Sequence, residues 1–517
     1  MDERRGGDWS SYIPAVGLAL GPLLGVLVYV LLPAEQRNEA GALVGGLTHG
    51  GRLTLAVGTW LAVWWMTEAV AIEAAALLPV AVFPLAGVAS FKATAAPYAD
   101  EVVFLFLGGM LMGSAMERWG LHTRLALRVM LAFGTRPSAL VGGLLCSTAI
   151  LSMWVSNTAG AIMMLPIARG VVSLAHDRHE ALGHSRQDAV ARHFGIACML
   201  AVAYGASIGG VGMLIGSPPN GVFAGFMSSH LGTQVTFWRW ALVGLPMVVL
   251  VLPLAWGVLM VALPVKGLRV EGARALLKER LRALGPMERP QWLVVGVCCL
   301  ACTGWVLRVP IAELAGLTSR AADGRLTVLL TDAGVAVGAA LLLFVLPAGG
   351  GKEGRGARLM DWGTASSIPW GVLLLFGGGL SLAAAIEAHG VDRFLGQAMS
   401  GLAGYHPLLV LLAVTALAAF LSEVGSNTAV ATVMMPIVAT LAPVTGMPAY
   451  TLCLAAALGS SLAFMLPSGT PPNALAFASG HLRMKDMVRV GLWMNLVCIL
   501  VITIAVYWLV PLLGVAD

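Results

Sequence analysis

Two copies of one polar triplet stand far apart in the chain. Ser156-Asn157-Thr158 is followed by Ala159, and Ser426-Asn427-Thr428 by Ala429, an offset of 270 residues. Each lies inside an apolar stretch, at 138–173 and 406–443. Hydroxyl and amide oxygens ligate a cation without carrying charge, and an amide N–H donates to an anion. Each triplet sits where one half-helix ends and another starts. The arm before it offers free carbonyls and a negative dipole end; the arm after it offers free N–H groups and a positive end. Ser, Asn and Thr are also the residues that cap such a helix start. One break therefore has the chemistry to hold a cation on one side and an anion on the other. Ser152 and Ser422 lie one helical turn before the triplets, so their hydroxyls point towards the same breaks.

A second pair has the same logic. Gly216-Ser217-Pro218-Pro219-Asn220 recurs as Gly469-Thr470-Pro471-Pro472-Asn473, and Ser207 matches Ser460 at that spacing. Two successive prolines inside an apolar span remove two backbone donors and break the helix. The carbonyls freed before them become ion ligands, and Gly216 and Gly469 let backbone approach closely. A lone polar triplet would be a kink whose hydroxyls bond back to their own helix. Two triplets and two Pro-Pro breaks at matching places argue for binding instead. No histidine falls mid-span near a break, which leaves an intramembrane hydrolase or metal enzyme without a general base or ligands. Gly205-Ala206-Ser207 resembles part of a serine nucleophile motif but lacks His or Asp partners. Cys298, Cys299 and Cys302 have no nearby His or carboxylate and are read as apolar packing, like most of the 24 methionines.

The elements that position these residues follow from composition and repeat. The 517 residues are 58% hydrophobic and 11% charged, against about 25% charged in a soluble domain. The 270-residue offset also aligns Gly109 with Gly379, Glu117 with Glu387, Gly120 with Gly390, Pro137 with Pro407, and Met164, Pro166 and Ile167 with Met434, Pro436 and Ile437. Glu117 and Glu387 are read as structural. Such internal symmetry around interrupted apolar segments is the mark of secondary transporters. Spans are expected at 12–32, 53–72, 74–90, 101–119, 194–226, 240–263, 291–309, 326–347, 369–388, 449–479 and 487–512. The stretches 138–173 and 406–443 read as re-entrant helical hairpins, tolerated at depth only where protein or a cavity surrounds them. Leu121–Arg136 is amphipathic, with Arg124 and Arg128 on one side, and reads as an interfacial helix; Val391–Leu402 is its weaker counterpart.

The expectation is an all-α polytopic membrane protein of about 11 transmembrane helices plus two hairpins in inverted repeats. Its parts would be N-terminal scaffold spans (1–100), a first repeat (101–263), a cytoplasmic linker with further scaffold spans (264–368) and a second repeat (369–512). The first apolar run, Tyr12–Leu32, has the length of a span rather than of a signal core. Most of the 31 Lys and Arg fall on one side of this topology, including seven between Lys266 and Arg289, and Lys352, Arg355, Arg358, Arg483, Lys485 and Arg489. That bias puts the N-terminus in the cytoplasm and the C-terminus, Gly514 to Asp517, outside a cell (inner) membrane. The first hairpin then enters from inside and the second from outside. The net charge of +5 is explained by short loops touching anionic lipid and needs no nucleic acid.

At these residues the chain resembles the divalent anion:sodium symporter family, that of the INDY-type di- and tricarboxylate transporters. The shared signature is a duplicated Ser-Asn-Thr on opposed hairpins with Pro-Pro breaks in the paired spans, and the likeness runs from about residue 12 to 512, including the glycine-rich spans 104–120 and 373–390. The resemblance implies a homodimer working by an elevator movement, with Na+ (at least two ions) as coupling ions. It assigns one sodium to Ser152, Ser156, Asn157 and Gly216, and another to Ser422, Gly425, Asn427 and Gly469. Ser422 stands where the family often has threonine, which keeps the hydroxyl. The substrate would lie between Asn157-Thr158 and Asn427-Thr428, beside Ser217, Thr470 and Pro471. Both threonines are present, which by resemblance favours carboxylates over sulfate, and C4 dicarboxylates (succinate, malate, fumarate) are the expected substrates. The alternatives are a sodium-independent dicarboxylate exchanger and a carrier for another divalent anion such as sulfate or citrate.

Overall fold

A computed structural model of the protein describes residues 12–37, 43–181, 189–268, 270–320, 326–349 and 356–514. The charged segment 1–11, Lys352, Arg355 and the last three residues lie outside the described residues. Helices α1 (Tyr12–Leu31) and α2 (His49–Thr67) pack as a pair, and between them β1 (Gln36–Arg37) meets β2 (Leu43–Gly45). Thr48 starts α2 by accepting the Gly51 N–H at 3.1 Å, and the helix ends at Glu68, whose φ is +48°. Three short helices follow: α3 (Ile72–Ala75), α4 (Leu78–Leu85) and α5 (Phe91–Ala95). The span expected at 74–90 is therefore not one continuous helix. Ile72–Leu85 reaches about 21 Å at about 1.5 Å per residue, short of the roughly 30 Å hydrocarbon layer.

Asp100 caps α6 (Glu101–Arg118) through the Val102 N–H. Gly120, at φ +64°, then turns the chain into α7 (Leu121–Phe133); its repeat partner Gly390, at φ +66°, does the same before α19 below. Only a residue without Cβ adopts this conformation cheaply. The first hairpin is α8 (Pro137–Ser152) packed on α9 (Asn157–Ala181). The following span is broken as the prolines require, into α10 (Ala189–Gly212), a turn at Leu214–Gly216 and α11 (Pro218–Leu231). Next come α12 (Phe237–Ala262) and the linker helix α13 (Ala273–Ala283). Arg124 of α7 does not face solvent. It is buried and donates to the carbonyls of Leu284, Gly285 and Pro286 at the end of α13.

The chain continues through α14 (Arg289–Val306) and α15 (Arg308–Leu314), bent by 83° at Leu307. β3 (Thr318–Arg320) pairs with β4 (Leu326–Val328), so the expected span 326–347 opens as a strand. Its helix α16 starts at Asp332 on a Thr331 cap and ends at Val345. Then come α17 (Trp362–Ser366), α18 (Trp370–Ala388), α19 (Val391–Ala398) and the second hairpin, α20 (Pro407–Val424) packed on α21 (Asn427–Ala439). α22 (Ala442–Thr445) leads to the second broken span, α23 (Ala449–Ser460) and α24 (Pro471–Phe477), and to α25 (Met484–Leu513).

Among the described residues eight helices, α9 and α20 of the hairpins included, are long and apolar enough to cross a membrane, nine if α14–α15 counts as one; the spans expected at 74–90, 326–347 and 449–479 are carried by shorter apolar helices, and that at 53–72 by the 19-residue α2. The two ribbons sit in connecting loops, so the protein is an all-α polytopic membrane protein. α10 is wholly buried, whereas α1 turns most of its surface outward. The two repeats interlock: α9 packs against α24, and α11 against α21. Glu387, expected to be structural, ties α18 to α11 through His230 at 3.1 Å.

Candidate functional site

The tip of the first hairpin is Met153-Trp154-Val155-Ser156. Ser156 caps α9: its carbonyl accepts the Gly160 N–H at 3.0 Å and its hydroxyl the Ala159 N–H at 3.3 Å. It is exposed, and its hydroxyl is occupied by the helix start rather than by the oxygen cluster below.

That cluster gathers one turn earlier. Ser152 is fully buried, and its single hydroxyl proton faces two acceptors, Asn157 Oδ1 and the Ala206 carbonyl at 2.7 Å. Asn157 Oδ1 lies against α10, where a methyl group added to Gly210 would come within 2.6 Å of it. Gly216, within the break, is equally tight: a methyl there would meet the Gly210 carbonyl at 2.6 Å and the Ser152 carbonyl at 3.1 Å. Three segments thus converge with oxygens and almost no carbon between them. Such a neutral, oxygen-lined cradle suits a hard cation. The structure brings together Ser152, Asn157 and Gly216 of the expected set.

The second cluster repeats this with changes. Ser422, also fully buried, bonds back to the Ala418 carbonyl at 2.9 Å. Its own carbonyl faces Gly469, where a methyl would meet it at 3.4 Å. Asn427 Oδ1 is buried with no hydrogen-bond partner, an acceptor left available at the start of α21. Gly425 ends α20, and its backbone lies against Met66 of α2. Of the residues expected around a substrate, Ser217, Thr428 and Thr470 are buried, Thr158 is half-buried and Pro471 is exposed. Thr470 caps α24 through the Asn473 N–H. The two clusters each lie within their own repeat and are linked by the crossed packing of α9 on α24 and α21 on α11. Neither contains an arginine or lysine; the positive field comes from the helix starts of α9, α11 and α21.

One site residue escaped the sequence reading. Glu423 is buried beside Ser422, and its carboxylate accepts the N–H groups of Phe464, Met465 and Leu466 at 2.7–3.0 Å and the Asn495 amide at 2.6 Å. Its Oε2 is 3.4 Å from where a methyl on Gly469 would sit. At the 270-residue offset the first repeat has Met153 instead. The difference explains an asymmetry of the breaks. The first leaves residues 213–217 between helices, whereas the second unwinds 461–470, with its N–H groups turned onto the carboxylate. A lone acid inside an apolar hairpin arm was the available signal.

Comparison with known proteins bears on this arrangement. Residues 42–515 match the sodium:sulfate symporter transmembrane region. The sodium-dependent dicarboxylate transporter SdcS of Staphylococcus saprophyticus is 37% identical over 497 residues, covering 96% of this chain and 91% of its own. Its namesake in Staphylococcus aureus is 37% identical over 498 residues with the same coverage. The solved YdaH transporter of Alcanivorax borkumensis superposes with a TM-score of 0.52 over 96% of both chains at 14% identity, a likeness of fold alone. The chain thus belongs to the sodium:sulfate symporter family, the divalent anion:sodium symporters, and is a multi-pass membrane transporter rather than an enzyme.

Proposed function

We propose that the protein is a sodium-coupled secondary transporter that imports C4 dicarboxylates such as succinate, malate or fumarate. The observation that carries this is the pair of oxygen-lined cradles built by Ser152, Asn157 and Gly216 and by Ser422, Asn427 and Gly469, each beside the start of a helix and the second with the Glu423 carboxylate next to it. Cations in the cradles, with helix starts next to them, offer two separated patches of positive field without an arginine. Two carboxylates a few ångströms apart match two such patches. The names of the staphylococcal relatives point the same way.

In this reading at least two Na+ bind, one at each cradle, with Ser156 and Gly425 completing the sets through their backbone. The substrate lies between Asn157-Thr158 and Asn427-Thr428, near Ser217, Thr470 and Pro471. The two repeats (101–263 and 369–512) move as one body against a scaffold built from 1–100 and 264–368, in a homodimer of the cell (inner) membrane with a cytoplasmic N-terminus. A bare dianion in a low-dielectric site is costly, so sodium binds first and cancels its charge. By linkage, substrate then raises sodium affinity by the same factor.

Uptake of labelled succinate into proteoliposomes tests this, with sodium varied at several substrate levels. The expected result is a Hill slope of about 2 or more, with apparent substrate affinity rising with sodium. No transport of any C4 dicarboxylate refutes the substrate class. Counterflow without sodium, at unchanged affinity, replaces symport by exchange.

A further inference from the structure

Asn220 and Asn473 occupy the third position of α11 and α24, just after the paired prolines. Both are fully buried. Asn220 Nδ2 donates to the Gly210 carbonyl at 2.8 Å and the Met213 carbonyl at 2.9 Å. Asn473 Nδ2 donates to the Ala463 carbonyl at 2.8 Å and the Leu466 carbonyl at 3.0 Å. The acceptors stand ten and seven residues back in both repeats. One side-chain amide therefore staples each break from the far side, supplying the two donors that a continuous helix would have provided.

The stapled peptides are those against which the cradles are built. Gly210, whose carbonyl Asn220 holds, is in contact with both Asn157 Oδ1 and Gly216. Ala463, whose carbonyl Asn473 holds, is the nearest neighbour of Gly469. In each amide the oxygen is buried without a partner. Leucine has nearly the same shape and would bury no orphan oxygen, so packing alone does not account for asparagine here. The donors do.

We infer that Asn220 and Asn473 are positioning residues for the two cation cradles, each fixing through its stapled peptide the glycine that faces the ion. The inference rests on the cation-binding reading above. Residues that orient metal ligands without touching the metal typically change its affinity by about 10- to 100-fold when replaced.

The test is binding of radioactive sodium to purified full-length protein, without substrate. Asn220→Leu and Asn473→Leu are each expected to weaken one sodium by about tenfold or more, with losses that multiply in the double variant. Should the leucine variants not fold, Asn220→Asp and Asn473→Asp keep size and shape. As an acid each retains one donor; as a carboxylate it has none. At low pH, where the acid is neutral and keeps one donor of the two, their sodium affinity is expected to fall below that of wild type, a loss that an isosteric side chain in a packing role would not cause. Folded variants with wild-type sodium affinity at every pH overturn the inference alone. Wild-type protein that binds no sodium overturns it together with the reading it rests on.

Discussion

Gly216→Ala separates a cation cradle from a mere kink. The added methyl would lie 2.6 Å from the Gly210 carbonyl oxygen and 3.1 Å from the Ser152 carbonyl oxygen. Ordinary contact begins near 3.4 Å. Both oxygens belong to backbone in buried segments, and one is held by Asn220 at 2.8 Å, so neither swings away as a side-chain end would. The loop must open by about 0.8 Å, and overpacking of this kind costs about 1–3 kcal/mol. Opening the loop moves ion ligands, so the cost falls on the bound state; about 2 kcal/mol corresponds to roughly 30-fold weaker sodium binding. Gly469→Ala is a built-in control. Its methyl would press first on the Ala463 side chain at 2.9 Å, while the Ser422 carbonyl is already at 3.4 Å. Its effect on sodium is expected below about fivefold, with more of the strain taken by packing. Trp154, at the tip of the first hairpin, gives a fluorescence readout for sodium titration of purified protein. Gly216→Ala protein that is folded and titrates within twofold of wild type would refute the cradle.

Asn157→Ala and Asn427→Ala are expected to abolish uptake in folded protein, whereas Thr158→Val and Thr428→Val weaken substrate more than sodium; normal uptake by these variants reduces the triplets to packing. Glu423→Gln sets a neutral amide against the N–H groups of 464–466, and each charged hydrogen bond lost is worth about 1.5–3 kcal/mol. Thermal unfolding in detergent should therefore shift down by several degrees; an unchanged Tm rejects the anchoring role. His481 stacks on His176 at 6.4 Å, and burial holds its pKa below the usual imidazole value. The unfolded chain then takes the proton first, so stability is retained above about pH 6.5 and drops as pH falls below it. Melting at pH 8 and pH 5.5 should show that slope, and His481→Gln should flatten it.

Much of this arrangement was legible because duplication writes the same physics twice. The Pro-Pro pairs announced both breaks, since a missing backbone donor is a local property. What stayed hidden depends on partners distant in sequence. Glu423 looked like one more residue of α20 until Phe464 to Leu466 folded onto it. The ten-residue second break has the same cause. Arg124 read as the polar side of a surface helix because its acceptors, the carbonyls after α13, lie some 160 residues away. The span expected at 74–90 failed for another reason. Apolar content alone does not distinguish one crossing helix from two short ones, and Ala76-Leu77 divided it.

The crossed packing of the repeats has a consequence for how the chain is made. α11 is covered by α21, and α9 by α24, so each hairpin and each half-helix waits for its cover from the other half. The start of α11 precedes α21 by about 200 residues, or roughly 10–40 s of synthesis at about 5–20 residues per second. During that interval the first break, with its paired prolines, stands in the membrane without its cover from the second half. Biogenesis of the first repeat is thus completed only when the second arrives, and an insertase or lipid must shelter the gap meanwhile. Nascent chains arrested before Pro407 should leave cysteines placed along α11 open to a thiol reagent, and chains arrested after Phe477 should not. Equal labelling in both would mean that each half closes on its own.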